Sequence, residues 1–520
     1  MRGSGKIIGI GLGPGDPELI SLKALKALQS ADCLVFHQAP GRKSHALAIA
    51  EHYITPQQAL LPLEYPLTVE HSADSTLYQT ELKEFYRRSE MLLRAELAQG
   101  RIVAILAEGD PLFYSSFMYL YNRLRADWPA EIIPGISSVS AASAALGRPL
   151  CYRRQSVHIL PATLPDAALE ACLAGAENKA FIFMKLGRHL PRLRQALRRA
   201  GLESRAFYVE RASLPGQIAL PLTELSADKI APYFSMLIIP GLEQPEYGLA
   251  ADSAAFAAPA PAPAEPPAGG RQGKVSIISL GPGRADMRSL RAAKALREAD
   301  AVLGYEFYLE QGGPYSENQQ LFPSGNGEEL ARARQALALA RAGRHAALLS
   351  SGDAGIYGMA AAFLEVYEEE QEEAAAVDIA IEPGISAAFA ASAHFGAPLG
   401  HDFAVISLSD NLKPWAIIAA RLQAAAKADM AMALYNPVSQ KRRAGLAQAL
   451  ALLRQCRPAD IWLGLAHNAG RPQAEFQIIR LGELKQEYIT SRTVILIGST
   501  KTRCFRRGGC SWLYTPRHYR

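Results

Sequence analysis

The chain of 520 residues carries the same glycine–proline turn twice. "GKIIGIGLGPG" at 5–15 is answered by "GKVSIISLGPG" at 273–283. Two more segments repeat in the same order. "EGDPLFYSS" at 108–116 pairs with "SGDAGIYGM" at 351–359, and "PGISSVSAASAALGRPL" at 134–150 pairs with "PGISAAFAASAHFGAPL" at 383–399. Eleven of the seventeen positions of the last pair are identical. The order is kept while the spacing drifts, as in a duplicated domain with loop insertions. The repeat is far longer than the roughly 20–50 residues of a solenoid unit, so two related domains are expected rather than a stack.

Residues 250–272 read "AADSAAFAAPAPAPAEPPAGGRQ", an Ala/Pro/Gly stretch that cannot build a core and is expected to be a linker. The expected organisation is therefore a domain over 5–245, the linker over 250–272, a second domain over 273–502 and a basic C-terminal tail over 503–520. The net charge of +5 is local: residues 501–520 hold six Lys or Arg and no acid, so the other 500 residues sum to −1. A basic stretch confined to the end is expected to be a solvated terminal segment, and no nucleic-acid partner is expected from it. No apolar run reaches the ~18 residues of a membrane helix, and a strand pattern begins almost at once, so neither a membrane nor a secretory signal is expected. The six cysteines include no CxxC pair, which fits a reducing cytoplasm.

The repeated segments fall between strand-like and helix-like runs. "KIIGIGL", "CLVF" and the continuous apolar run "IVAILA" predict buried parallel strands. Leu19, Leu22, Leu25 and Leu28 predict one helix face after the first turn. "HAALLSSGD" and "DIAIEPG" repeat the strand–loop pattern in the second half. Further strands are expected at "SVHILP", "AFIFMK", "RAFYVE" and "YFSMLIIPG", and at "FAVISL", "DMAMALY", "IWLGLAH" and "TVILIGST". The fold class is α/β, with three glycine-bearing loops per half at the C-terminal ends of strands, where open α/β sheets bind ligands.

The loops do not suit a dinucleotide. After Gly11 and Gly13, Asp16 stands where the third glycine of G-x-G-x-x-G should be, and Pro14 lacks an N–H where a pyrophosphate would need one. No phosphate-binding GxxxxGK[ST] is present. A ligand with a polar or cationic part and no phosphate is expected.

GxGPG, a GD loop about 95 residues later and PGIS opening a small-residue helix resemble the tetrapyrrole (class III) S-adenosylmethionine-dependent methyltransferases. The resemblance covers both halves. "EGDPLFYSSFMYL", "MKLGR" and "YVERASLPGQ" resemble the precorrin-2 C-20 branch of that family. "GHDFAVISLSDNLKPW", "ALYNPVSQKR" and "AHNAGR" resemble the precorrin-3B C-17 branch. The resemblance implies two tandem domains, each of two α/β lobes with a cofactor cleft between them. It implies one S-adenosyl-L-methionine per domain, tetrapyrrole substrates (precorrin-2 and precorrin-3B, or their cobalt-containing equivalents) and homodimerisation. One half acting as a non-catalytic binding module is the alternative.

Carried over by position, the resemblance implies a first pocket with Pro14 at its floor and Gly109, Asp110 and Phe113 lining it through the GDP loop. Ser137 and Ser138 would contact the methionine or ribose part, and Met184 and Ala212 would close over adenine. In the second half the same places fall on Pro282, on Gly352, Asp353 and Ile356, on Ser386 and Ala387, on Tyr435 and on Ala469. In the second half Ser279 also replaces the first glycine of the dinucleotide fingerprint. This half departs from the family pattern in two ways, Ala354 for the loop proline and "GRAD" for "GDPE", and its pocket is expected to survive, because the loop would bind mostly through backbone groups.

The implied chemistry asks little of side chains. A sulfonium methyl is already activated, so desolvation and in-line alignment of a carbon nucleophile suffice. No catalytic residue and no metal site are assigned. His401, Asp402 and Asp410 are weighed as acid–base groups and expected to be loop residues. Arg211 and the pair Arg153–Arg154 are weighed as partners of substrate carboxylates. Arg87 and Arg88 are expected on a solvated helix face. Cys504 and Cys510 are too isolated to predict a metal or cluster site.

Overall fold

A computed structural model describes residues 5–65, 76–151, 155–174, 176, 179–241, 272–370, 377–411, 413–438, 444–507 and 509–516. The linker up to Arg271 and the Arg153–Arg154 pair lie outside the described residues.

The first half begins with β1 (Lys6–Gly11), β2 (Cys33–Gln38), β3 (Ala59–Glu64), β4 (Ile102–Ala107) and β5 (Ala130–Ile133), which form a sheet of order β3-β2-β4-β1-β5. All four pairings are parallel. It continues with β6 (Ser156–Pro161), β7 (Lys179–Met184), β8 (Phe207–Glu210), β9 (Ile218–Pro221) and β10 (Ser235–Ile239). The second half opens with β11 (Lys274–Ser279), β12 (Ala301–Tyr305), β13 (Gln320–Ser324), β14 (His345–Ser350) and β15 (Asp378–Glu382), in the order β13-β12-β14-β11-β15. The topology of β1–β5 is thus repeated strand for strand. The continuous apolar runs at β4 and β14 are buried almost throughout, as a central strand covered on both faces must be.

The rest of the second half comprises β16 (Gly396–Ala397), β17 (Phe403–Ser407), β18 (Ala431–Tyr435), β19 (Trp462–His467), β20 (Glu475–Arg480), β21 (Thr493–Ile497), β22 (Arg503–Arg507) and β23 (Cys510–Tyr514). These later strands are mixed in direction, because short antiparallel returns such as β9 and β20 interrupt the strand–helix alternation.

The chain packs as two compact units, and their borders do not follow the halves. One unit gathers Met1–Ser138, Ala387–Phe403 and Leu422–Arg520; the other gathers Val139–Ser386 and Ala404–Arg421. The first unit contains the β1–β5 sheet, a sheet segment of order β20-β19-β21-β18 and the small sheet β16-β23-β22. Its core joins Ile7, Val103, Ile105, Phe117 and Tyr121 of the first half to Ala397 of the second. The second unit contains the β11–β15 sheet and a segment of order β17-β6-β7-β10-β8-β9, in which β17 of the second half lies beside β6 of the first.

Two local expectations need correction. After the first turn the helix begins only at Leu22, capped by Ser21, whose hydroxyl accepts from the Ala24 N–H at 3.1 Å. Leu19 belongs to a preceding 3₁₀ turn, so the buried helix positions are Ala24 and Leu28 while Leu22 is exposed. A strict spacing of three drifts off one face of a 3.6-residue helix. The second correction is the C-terminus. Residues 503–507 and 510–514 form an antiparallel hairpin whose Leu513 is buried, and Trp512 packs edge-on against Tyr121. The Arg125 guanidinium lies over Phe505 and Trp512 at 4.3 and 4.4 Å. Its aromatics, rather than its charges, decide where this segment goes.

Candidate functional site

The repeated turns meet at the strand ends within each unit. In the first unit Gly13 and Gly109 exchange backbone hydrogen bonds of 3.3 and 2.7 Å. Gly281 and Gly352 do the same in the second unit, at 3.1 and 2.7 Å. Gly109 and Gly352 share a φ of 67°, a region that favours glycine. The PGIS glycine approaches so closely that a Cβ on Gly135 would lie 2.0 Å from the Gly109 carbonyl oxygen.

The GD aspartates clamp these loops. Asp110 is buried; its Oδ1 accepts from the Leu112 N–H at 2.9 Å and its Oδ2 from the Gly135 N–H at 3.0 Å. Asp353 repeats the arrangement with the Gly355 N–H at 3.0 Å and the Gly384 N–H at 2.9 Å. Burial pushes the Asp110 carboxyl up to about 7 against the pull of its two N–H donors, and raises Asp353 likewise. Glu108, two residues before Asp110, is also pushed to about 7 by burial. Both GD aspartates therefore tie the GD loop to the PGIS turn.

The departures of the second half turn out to be a matched pair. Without proline, Ala354 has an N–H, and it donates to Ser279 Oγ at 2.8 Å. The first half has neither group, since Gly11 and Pro111 stand in those places. The substitutions satisfy each other and keep the loop closed.

The structure brings Pro14, Gly109, Asp110, Phe113, Ser137 and Ser138 to one sheet edge of the first unit; Ser137 is buried, and Ser138 begins the helix Ser138–Ala145. In the second unit it gathers Pro282, Gly352, Asp353, Ile356 and Ser386. Met184 ends β7 and Ala212 follows β8, both in the second unit. In the first unit, Tyr435 ends β18 and its hydroxyl accepts from the Ala388 N–H at 2.8 Å, beside Ala387; Ala469 follows β19 and is buried.

Backbone strain marks these places independently. Among the described residues, six of the eight non-glycine residues with positive φ form equivalent pairs: Lys185 and Asn436 after Met184 and Tyr435, Arg211 and Asn468 before Ala212 and Ala469, and Tyr114 and Tyr357 after Phe113 and Ile356. Left-handed backbone at bulky residues persists where the surroundings enforce it, and it clusters at ligand sites.

Other candidates resolve differently. Arg211 is exposed and its Nε donates to the Pro215 carbonyl at 2.8 Å. Arg87 and Arg88 pair with Glu84 on an exposed face, as expected. Asp410 is exposed. His401 Nδ1 lies 3.2 Å from Asp402 Oδ1. Cys504 stands opposite Leu513, and Cys510 opposite Arg507, so the two cysteines do not face each other. Sequence reasoning missed Tyr114 and Tyr357, although an aromatic at the same place in both GD loops was the available signal. It also missed Arg421, which is buried at 3% exposure and whose guanidinium nitrogens have no hydrogen-bond partner among the described residues.

The family profile described as Tetrapyrrole (Corrin/Porphyrin) Methylases matches residues 6–226 and again 274–485. The chain belongs to the tetrapyrrole methylase family. Among its relatives is the "Cobalamin biosynthesis protein CobIJ" of Mycobacterium tuberculosis (strain ATCC 25618 / H37Rv), 39% identical over 528 aligned residues covering 100% of this chain and 97% of that protein. The "Precorrin-2 C(20)-methyltransferase" of Sinorhizobium sp is 43% identical over 239 residues, 46% of this chain and 96% of its own. The "Precorrin-3B C(17)-methyltransferase" of Sinorhizobium sp is 41% identical over 248 residues, 48% of this chain and 97% of its own. This tetrapyrrole methylase is thus a tandem α/β methyltransferase. Among its described residues no helix is long and apolar enough to cross a membrane.

Proposed function

We propose that this chain is a bifunctional methyltransferase of corrin assembly. Its first half methylates precorrin-2 at C-20. Its second half methylates precorrin-3B at C-17, with contraction of the macrocycle. Each half uses one S-adenosyl-L-methionine, and the protein acts in the cytoplasm as a homodimer. The observation that carries this reading is the pairing of likenesses: a relative similar along almost the whole length, and two shorter methyltransferases, one named for C(20) and one for C(17), each similar to one half.

The cofactor supplies a sulfonium methyl; the new C–C bond forms as the C–S bond breaks and its electron pair stays on sulfur. The loops fit such a ligand. Pro14 and Pro282 offer no N–H to a phosphate, and both GD carboxylates are occupied with backbone donors. Phe113 and Ile356 give each loop an apolar wall, which suits a charge that disappears in the transition state. Gly109, Gly352 and the left-handed residues after the later strands present backbone groups at close range. The Arg421 guanidinium, buried beside Tyr357 with no hydrogen-bond partner among the described residues, supports an anionic ligand near the second loop, because a buried cation is costly until it is paired.

The test is incubation of the full chain with S-adenosylmethionine and, separately, precorrin-2 or precorrin-3B, read by mass spectrometry and by the absorption change of ring contraction. One added methyl on each substrate is expected. Methylation of the cobalt-loaded macrocycles alone would move the substrates to that series, and transfer to neither series would end the reading.

A further inference from the structure

We propose that each GD loop is held in shape by the opposite half of the chain through one tyrosine, with Tyr114 latched to Asp402 and Tyr357 latched to the Gln155 carbonyl. The inference rests on the reading of these loops as cofactor loops.

Tyr114 and Tyr357 directly follow Phe113 and Ile356 and occupy equivalent places in the repeat. Both have a φ of 52°, a conformation a bulky residue keeps only when something enforces it. In the first unit the Tyr114 hydroxyl donates to Asp402 Oδ1 at 3.2 Å, a residue 288 positions away in the second half. Its neighbour Phe113 packs on Phe389 and Phe403, also of the second half, with ring centroids 5.4 and 5.8 Å apart. In the second unit the direction reverses. The Tyr357 hydroxyl lies 3.0 Å from the carbonyl oxygens of both Gln155 and Val405 and shares its proton between them. The first-half backbone joins in: the Leu150 N–H donates to the Gly355 carbonyl at 3.2 Å, and Cys151 forms a parallel bridge with Ile356.

The exchange is reciprocal but unequal. The second loop is clasped by backbone, whereas the first hangs on one carboxylate that a conservative substitution can remove. Asp402 and Tyr114 are positioning residues for C-20 transfer; neither is assigned contact with the reacting atoms.

The test uses the full chain with Asp402→Asn, Tyr114→Phe and the double variant. Asp402→Asn keeps size and removes the charged acceptor; Tyr114→Phe keeps the ring. Three readouts are taken: hydrogen exchange of the 109–116 amides, S-adenosylhomocysteine affinity by titration, and the two methyl-transfer rates. Tyr114→Phe is expected to speed exchange of the loop and to weaken the C-20 reaction about tenfold, as loss of a hydrogen bond to a charged acceptor does, and Asp402→Asn, whose amide oxygen still accepts, to do both to a smaller extent. The double variant is expected to be no worse than Tyr114→Phe, because both changes act on one interaction. The C-17 rate is expected to follow Tyr357→Phe instead. The proposal is overturned if Tyr114→Phe leaves both the 109–116 exchange and the C-20 reaction unchanged, whatever it does at C-17. Hydrogen exchange needs no ligand, so it separates failure of the latch from failure of the functional reading.

Discussion

Replacing Asp110 with alanine would strip the acceptors from two buried N–H groups at once, those of Leu112 and Gly135. The expected destabilisation is on the order of 3 kcal/mol, since each orphaned buried donor costs about 1–3 kcal/mol. Asp110→Asn keeps one acceptor and is expected to cost less. The same carboxyl makes a pH prediction. Burial raises it from the ordinary range to about 7, so between about pH 4 and 7 the folded chain holds a proton that the unfolded chain has released. Folding takes up that proton, and the contribution falls away as pH rises through 7. Glu108 acts in the same sense. Denaturant midpoints measured from pH 4 to 8 should therefore show a smaller fall in Asp110→Asn than in the parent chain. Equal slopes would mean that Asp110 stays ionised in the fold.

At the scale of elements, the second GD loop offers a cycle within one hydrogen bond. Ser279→Gly leaves the Ala354 N–H without its acceptor, and Ala354→Pro leaves the Ser279 hydroxyl without its donor. Each single change is expected to cost about 1–2 kcal/mol. The double change recreates the Gly/Pro pair of the first half and should cost less than the sum, read as thermal midpoints. The case also shows what a sequence can reveal about an element. The strands at β1, β4, β14 and β17 were legible from apolar runs, because burial on both faces leaves a composition signal. The partnership of Ser279 with Ala354 was not, because the residues are 75 positions apart and only the turn geometry brings them together. The C-terminal hairpin was missed for a related reason: its charges stand out in the sequence, while Leu513 and Trp512 meet their partners only in the folded unit.

At the scale of the molecule, the duplication was legible and the division of labour between the halves was not. Repeated turns predict two domains, and the natural expectation is that each acts alone. The compact units contradict that expectation, since each draws segments from both halves. Phe113 packs on Phe389, and Cys151 bridges Ile356, so either half expressed by itself would expose those surfaces. Residues 1–245 and 273–520 made separately are therefore expected to be poorly soluble and inactive, and co-production should recover both activities. A specific protease site placed in the linker gives the complementary measurement: after cleavage the two fragments should still elute together. Fragments that separate and remain active would refute the dependence.

The interleaving of segments also bears on supply in the cell. A unit assembled from both halves needs them in equal number, and at low expression separate polypeptides would have to meet by diffusion. One continuous translation product fixes the ratio at one to one and replaces a bimolecular encounter with an intramolecular one, at an effective concentration set by the tether.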